Sequence, residues 1–395
     1  MKYVIIGGGI AGTTAAEELR KLNLEAEITI ISLEFHALYS RVLLPHYVKA
    51  KVPRERVFLK KETWYAEQKI EWIVGESVTK IDPVNQHVEL SDQTEVVYDK
   101  LLIATGGEVK LIEQDVPGVS YFRTLDDADH MLELLRALPL EAHAGIYGGG
   151  FIACEYLNIF KHFNIATTIA FRGAHMWSRA LSKEAGELIT KHLIANGVEV
   201  ISNATTIETH GEKTIEAFTV GDKKIPCNIL GIGVGIEPDF SLMHEATIDG
   251  QEGILCNQFL ETNISNIYTA GDVAEFLDGR YGRHLLAGNW MNAQTQGRCV
   301  AKNMFGERVA FDLVSSYATN ALGLEIIFIG DTSRAHAAES RLIGSVEMGG
   351  ISELFVRNNK LVGAILVGRN SDRAVLTKLI QEQTELTDPA VVFPS

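Results

Sequence analysis

Residues 4–20 read VIIGGGIAGTTAAEELR, and residues 145–160 return to nearly the same pattern as GIYGGGFIACEYLNIF. Each stretch is a short apolar run, then glycines at fixed spacing, then a segment with helical periodicity. In the first, residues 4–6 are expected as a buried strand and residues 14–22 as a helix, with Gly7, Gly9 and Gly12 in the connecting turn. This is G-x-G-x-x-G in the strand–turn–helix setting that gives the motif its meaning. Gly7 permits the tight turn, Gly9 lets backbone N–H groups approach a pyrophosphate, and Gly12 lets the helix pack on the strand. The helix N-terminus then presents its partial positive charge to phosphate. A second strand is expected at residues 28–31. Glu34 lies beyond its end, 22 positions after Gly12, where an acid can accept hydrogen bonds from a ribose.

The second repeat has Gly148, Gly150 and Ala153 in the same layout. Its second strand, residues 167–171, ends in AFRGAHMW, where no acid stands and Arg172 follows Phe171. Without a carboxylate to hold a ribose 2′-OH, Arg172, with His175 and Arg179, opens the way to a 2′-phosphate. A solvated loop role for Arg172 is equally compatible with the sequence. Two dinucleotide turns in one chain point to a flavin dinucleotide and a nicotinamide held side by side.

The rest of the chain narrows the field. A length of 395 residues exceeds one hydrophobic core, so two or three domains are expected. A formal charge of −15 argues against nucleic acid, whose phosphates are held by basic surface. No apolar run is long enough to span a membrane. The start of the chain reads as a strand rather than a signal peptide. Four cysteines, none in C-x-x-C, fit a reducing cytoplasm without structural disulfides.

Two further stretches complete a site if the chain returns to its first sheet. YDKLLIATGGEV (98–109) holds a strand followed by Ala104, Thr105 and Gly106, small residues against which a nucleotide can lie. ISNIYTAGDVAEF (264–276) holds a strand at 267–270 with Gly271 and Asp272 at its carboxyl end, the end at which open α/β sheets bind ligands.

Together GGGIAG, YSRVLLPHY, LLIATGG, GGGFIACE, GIGVGIEPD, IYTAGDVAEF, NWMNAQTQG and LVGAILVG identify a resemblance to the FAD-dependent pyridine-nucleotide oxidoreductases. The chain is most similar to the branch of rubredoxin reductases, the ferredoxin reductases of aromatic-ring dioxygenases and the flavin module of assimilatory nitrite reductase. The resemblance implies an α/β fold with two Rossmann-like dinucleotide-binding domains plus a small α+β C-terminal domain. It divides the chain into an FAD domain from residues 1–112 and 232–312, an inserted NAD(P)H domain at 113–231, and a C-terminal domain at 313–395. It implies that Gly7, Gly9, Ile10, Ala11, Gly12, Glu34, Arg41, Ala104, Thr105, Gly106, Gly271 and Asp272 contact FAD. Gly148, Gly150, Phe151, Ile152, Ala153, Glu155 and Gly235 would line the site of NADH or NADPH, with Glu155 near the ring stack. Trp290 would stand beside the isoalloxazine, and a helix starting near Asn292 would aim its positive end at the flavin pyrimidine.

In the dioxygenase reductases a lysine follows the R-x-x-L-x stretch near the flavin, and here His46 takes that place. It is either a donor that titrates near neutrality or a surface histidine beside Pro45. The cysteine-dependent members of the superfamily need a C-x-x-x-x-C, a C-x-x-C or a cysteine three residues before the proline of VLLP; Val42 stands there. With no thiol relay, electrons are expected to leave from the flavin to a one-electron iron–sulfur carrier such as rubredoxin or ferredoxin. VKAKVPRERVFLKK (48–61) is a basic stretch suited to an acidic carrier, or a solvated face. The alternatives are an FAD subunit of a larger redox complex working with a metal or iron–sulfur subunit, an NADH oxidase, and a flavin-binding protein without enzymatic activity. In the C-terminal part, 322–331 and 352–368 read as strands with a hairpin turned at Asn358-Asn359, and 373–386 as a closing helix.

Overall fold

The computed structural model describes residues 1–113 and 116–385. The chain forms two compact units, one of Met1–Leu43, Pro53–Glu108 and Ile236–Leu313, the other of Leu44–Val52, Val109–Gly235 and Val314–Ser395.

The first unit is built on a five-stranded sheet in the order Ile267–Thr269, Lys100–Ile103, Lys2–Ile6, Glu27–Ser32, Ile70–Val74, parallel throughout. Nearly every residue of its central strands is buried, as a parallel sheet covered on both faces requires. Helices Ile10–Leu22 and Trp290–Phe305 cover one face, where Tyr3, Ile5, Ala15, Leu19, Ile30, Leu102, Val300 and Met304 form the core. The two helices meet closely: a Cβ on Gly297 would lie 2.4 Å from the Ala11 carbonyl oxygen.

The first helix begins at Ile10, four residues earlier than residue 14, so Gly12 lies in its first turn and not in the loop. Gly9 is the N-cap, and Gly12 is glycine because a Cβ there would meet the Gly7 carbonyl at 2.0 Å. The strand orders reverse at Lys2–Ile6: the chain moves from it to Glu27–Ser32 on one side and later to Lys100–Ile103 on the other. The carboxyl ends of Lys2–Ile6 and Lys100–Ile103 therefore define a topological switch point, the crevice where such sheets bind ligands.

The second unit repeats this plan. Its parallel sheet runs Glu199–Ile201, Ala166–Ala170, His143–Tyr147, Ile229–Ile232, Val119–Ser120, and the helix Phe151–His162 follows the second glycine turn. A five-stranded antiparallel sheet, Ser316–Ala321, Leu324–Gly330, Lys360–Val367, Gly350–Arg357, Glu339–Ser345, forms its C-terminal part. Asn358 and Asn359 turn the expected hairpin with φ of 50° and 58°, the two left-handed positions of a type I′ turn. The closing helix is Arg373–Gln381; Leu386, at the end of its expected range, lies outside the described residues. The segment Leu44–Val52 groups with this unit, where Tyr47 Oη donates to Asp129 Oδ1 at 2.6 Å.

Candidate functional site: two glycine cradles

In the first unit, Gly7 has φ +112°, and a Cβ there would sit 2.2 Å from the Ala104 carbonyl oxygen. The two strand ends thus touch through backbone alone. Gly9 differs: its φ is −71°, and a Cβ on it would meet nothing within 4 Å. Neither conformation nor packing inside the protein asks for glycine there, so the open space in front of Gly9 is room for a ligand. Ile10 and Ala11 form the helix turn behind it, and Thr105 and Gly106 continue the chain beyond Ala104.

Glu34 stands two residues beyond Glu27–Ser32. It accepts hydrogen bonds from Tyr39 Oη and from the Arg41 guanidinium, which also donates to Tyr39 Oη at 3.1 Å. Burial acts against the Arg41 charge, yet Glu34, Tyr39 and Asp272 together hold its pKa above the ordinary arginine value. The structure therefore brings Glu34, Arg41 and Asp272 into one electrostatic neighbourhood.

Trp290 is the first residue of its helix, which starts two positions before Asn292 because the Asn289 side chain caps it by accepting from Asn292 N at 2.9 Å. One turn further in, Gln296 Oε1 accepts from Gly271 N at 2.7 Å. Gln296 Nε2 and Asn292 Oδ1 are buried without a hydrogen-bond partner. The Gln296 donor, left over on the amide that holds Gly271, asks for a polar ligand. Gln296 escaped the sequence reading; its signal was its helical spacing with Asn292 and Asn303, three amides that the helix buries.

The second unit reproduces the cradle. Gly148 has φ +138°, and its Cβ would lie 2.1 Å from the Gly233 carbonyl oxygen, the counterpart of Ala104. Gly150 is extended at φ −123°, and the nearest atom to a Cβ there is Trp177 Nε1 at 3.9 Å. Ala153 is fully buried in the helix and Ile152 partly so. Gly235, with φ +105°, follows the neighbouring strand. The Phe151 ring is turned into an aromatic cluster with Trp177, Tyr317 and Phe328 at 5.3, 5.2 and 5.2 Å between ring centres. Its ring is therefore taken up within the protein. Arg172 is exposed beyond Ala166–Ala170.

On the same helix, burial raises the Glu155 carboxyl pKa, a shift Lys49 opposes, and burial likewise lowers that of Lys49. His46 is exposed on Leu44–Val48. Partial burial, then Lys49 and Lys51, lower its pKa and favour the neutral imidazole. Of the basic stretch, Lys60 pairs with Glu17 at 3.0 Å and covers the Trp64 ring, while Arg54 lies over Phe58.

All four cysteines are buried and unpaired with one another. Burial raises every thiol, Cys227 to about 12 and Cys299 to about 11, so none offers a thiolate.

Both cradles fit dinucleotides, and the chain is similar to known proteins over nearly its whole length. The chain is 27% identical over 398 residues to the nitrite reductase [NAD(P)H] of Bacillus subtilis (strain 168), covering 99% of this chain and 48% of that protein; it therefore spans about half the length of that relative. It is 28% identical over 331 residues to the ferredoxin–NAD(+) reductase component of the biphenyl dioxygenase system of Paraburkholderia xenovorans (strain LB400), covering 83% and 80%. The crystal structure of the covalent putidaredoxin reductase–putidaredoxin complex superposes with a TM-score of 0.90 at 22% identity, over 99% of this chain and 95% of that one, a likeness of fold. Residues 1–297 match the pyridine nucleotide-disulphide oxidoreductase family, and the chain belongs to it.

Proposed function

We propose that this protein is an FAD-dependent oxidoreductase that takes electrons from NADH or NADPH and passes them singly to a small iron–sulfur carrier of the ferredoxin or rubredoxin kind. The reading rests on one observation above the others: two glycine cradles with open space at Gly9 and Gly150, in a chain whose four thiols are all buried. The flavin that the first cradle would hold would supply the conversion between two-electron and one-electron chemistry. The chain's own work is positional. Gly7, Gly9, Ile10, Ala11 and Gly12 would hold the pyrophosphate of FAD, Glu34 with Arg41 its adenosine ribose, and Asp272 its ribityl chain. Ala104, Thr105, Gly106 and Gly271 would line its path, with Trp290 beside the ring and the helix behind Trp290 lending positive potential. Gly148, Gly150, Phe151, Ile152, Ala153 and Gly235 would receive the nicotinamide nucleotide, and Glu155 and His46 would set the polarity near the rings.

In this reading residues 1–112 and 232–312 form the FAD domain, 113–231 the NAD(P)H domain and 313–395 the C-terminal domain, in the cytoplasm. Among the described residues no helix is long and apolar enough to cross a membrane. Coverage of 99% of this chain by half of a nitrite reductase favours a second reading, in which the protein is the flavin-bearing entry module of a larger redox assembly with a metal or iron–sulfur partner.

Adding NADH or NADPH anaerobically to the yellow holoprotein should bleach its flavin band, and adding a ferredoxin or rubredoxin should restore it. No bleaching with either nucleotide would overturn the proposal. Co-purification with a stable metalloprotein would favour the second reading.

A further inference from the structure

The second cradle carries a feature that the first lacks. After Glu27–Ser32 the chain supplies Glu34 to the ribose edge of its crevice. After Ala166–Ala170, residues 171–182 contain no acid. Gly148 N donates to Ala170 O at 2.8 Å as Gly7 N donates to Ile31 O at 2.8 Å, so the two crossings are in matching register. Ser32 and Phe171 then correspond. In keeping with this, a Cβ on Gly8 would meet Ser32 Oγ at 2.9 Å and one on Gly149 the Phe171 Cβ at 3.1 Å. In that register the residue matching Glu34 is Gly173, where even a Cβ would come within 2.0 Å of Ser178 Oγ. A side chain at 173 is therefore excluded unless Ser178 moves.

The loop 171–181 is folded back on the cradle. Trp177, at φ +48°, donates its backbone N–H to Gly149 O at 3.0 Å and accepts from Ala180 N and Leu181 N at 2.8 and 2.9 Å. Phe171 is buried. Arg172, Ser178 and Arg179 are exposed on the loop, and neither arginine is ion-paired among the described residues. His175 is spent elsewhere: Nδ1 bonds Met176 O at 2.9 Å and its ring lies against Gly186. A ribose carrying only a 2′-OH finds no carboxylate on this loop, whereas a 2′-phosphate would meet guanidinium groups able to bind it with charge-assisted hydrogen bonds.

We propose that this ribose edge selects the 2′-phosphorylated nucleotide, so that NADPH is the preferred reductant, with Arg172 and Arg179 as the groups that pair with the 2′-phosphate. This rests on the nicotinamide reading of the second cradle. The test uses the holoprotein: stopped-flow flavin reduction by NADPH and NADH, and calorimetric binding of 2′,5′-ADP against 5′-AMP. Wild type should favour NADPH in kcat/KM and bind 2′,5′-ADP more tightly. Arg172→Ala or Arg179→Ala should lower the NADPH-over-NADH ratio about ten- to hundredfold, and Arg172→Lys should restore part of it. Preference for NADH, equal binding of the two adenosine fragments, or equal losses toward both nucleotides in Arg172→Ala would overturn the inference. If neither nucleotide reduces the flavin yet 2′,5′-ADP binds preferentially and Arg172→Ala abolishes that preference, the selectivity stands and the reductase reading falls.

Discussion

Gly7 and Gly9 stand two residues apart and are glycine for different reasons. Gly7 carries φ +112° and touches the Ala104 carbonyl, so Gly7→Ala strains the backbone and forces two strand ends apart, at a cost of roughly 2 to 4 kcal/mol. Gly9 faces open space. Gly9→Ala should leave apoprotein stability within about 0.5 kcal/mol of wild type and yet lose flavin on gel filtration. Urea unfolding of the two apo-variants separates them; equal destabilisation would show that the space at Gly9 is not a ligand's. A second residue-scale prediction concerns Glu155. Its carboxyl pKa is raised in the folded state by burial, against the opposing pull of Lys49. A raised pKa means stability that is fully present below the unfolded value and is lost as pH rises through the folded one. Glu155→Gln should therefore be more stable than wild type toward urea at pH 7, and the difference should vanish by about pH 4, near the free glutamate pKa. A deficit for the variant at pH 7 would mean that the Lys49 pairing outweighs the burial.

At the scale of elements, the contact of helix Ile10–Leu22 with Trp290–Phe305 depends on Gly297 lying against the Ala11 carbonyl. Gly297→Val should cost about 1–3 kcal/mol and release flavin, because the same helix holds Gln296 against Gly271. Spectral measurement of bound flavin during thermal unfolding checks it. In the C-terminal sheet, Asn359→Gly should stabilise the Asn358-Asn359 turn by up to about 1 kcal/mol, since glycine carries no Cβ into the left-handed region; a lowered Tm would argue against the turn. Elements like these were readable because their signals are local. The glycine spacing, the apolar run before it and the paired asparagines each constrain their own backbone. The start of the first helix was placed four residues late, since glycines that loosen an isolated helix are here required by packing. Gly233, Gln296 and the membership of Leu44–Val52 in the second unit depend on contacts across long stretches of chain, which no local pattern records. The ribose edge was half legible. The missing acid was plain in the sequence, but the crowding of position 173 by Ser178 required coordinates.

For the whole molecule, the proposed electron route uses no cysteine, since all four are buried and unpaired with one another. Replacing Cys154, Cys227, Cys256 and Cys299 together by alanine should keep NAD(P)H-dependent bleaching within about threefold of wild type, while the loss of four small buried packing groups lowers stability by a few kcal/mol, roughly 1 for each. Loss of bleaching in a variant that still folds and binds flavin would place a thiol on the route. The burial of those thiols also bears on survival in air. Reduced cofactors exposed to dioxygen generate peroxide, and a cysteine is damaged by it as a solvent-reached thiolate. Here the native protein should resist labelling by a dimedone-type sulfenic acid probe after a peroxide pulse, and become labelled only when the pulse is given in urea, so that oxidant tolerance is lost with the fold and not before it.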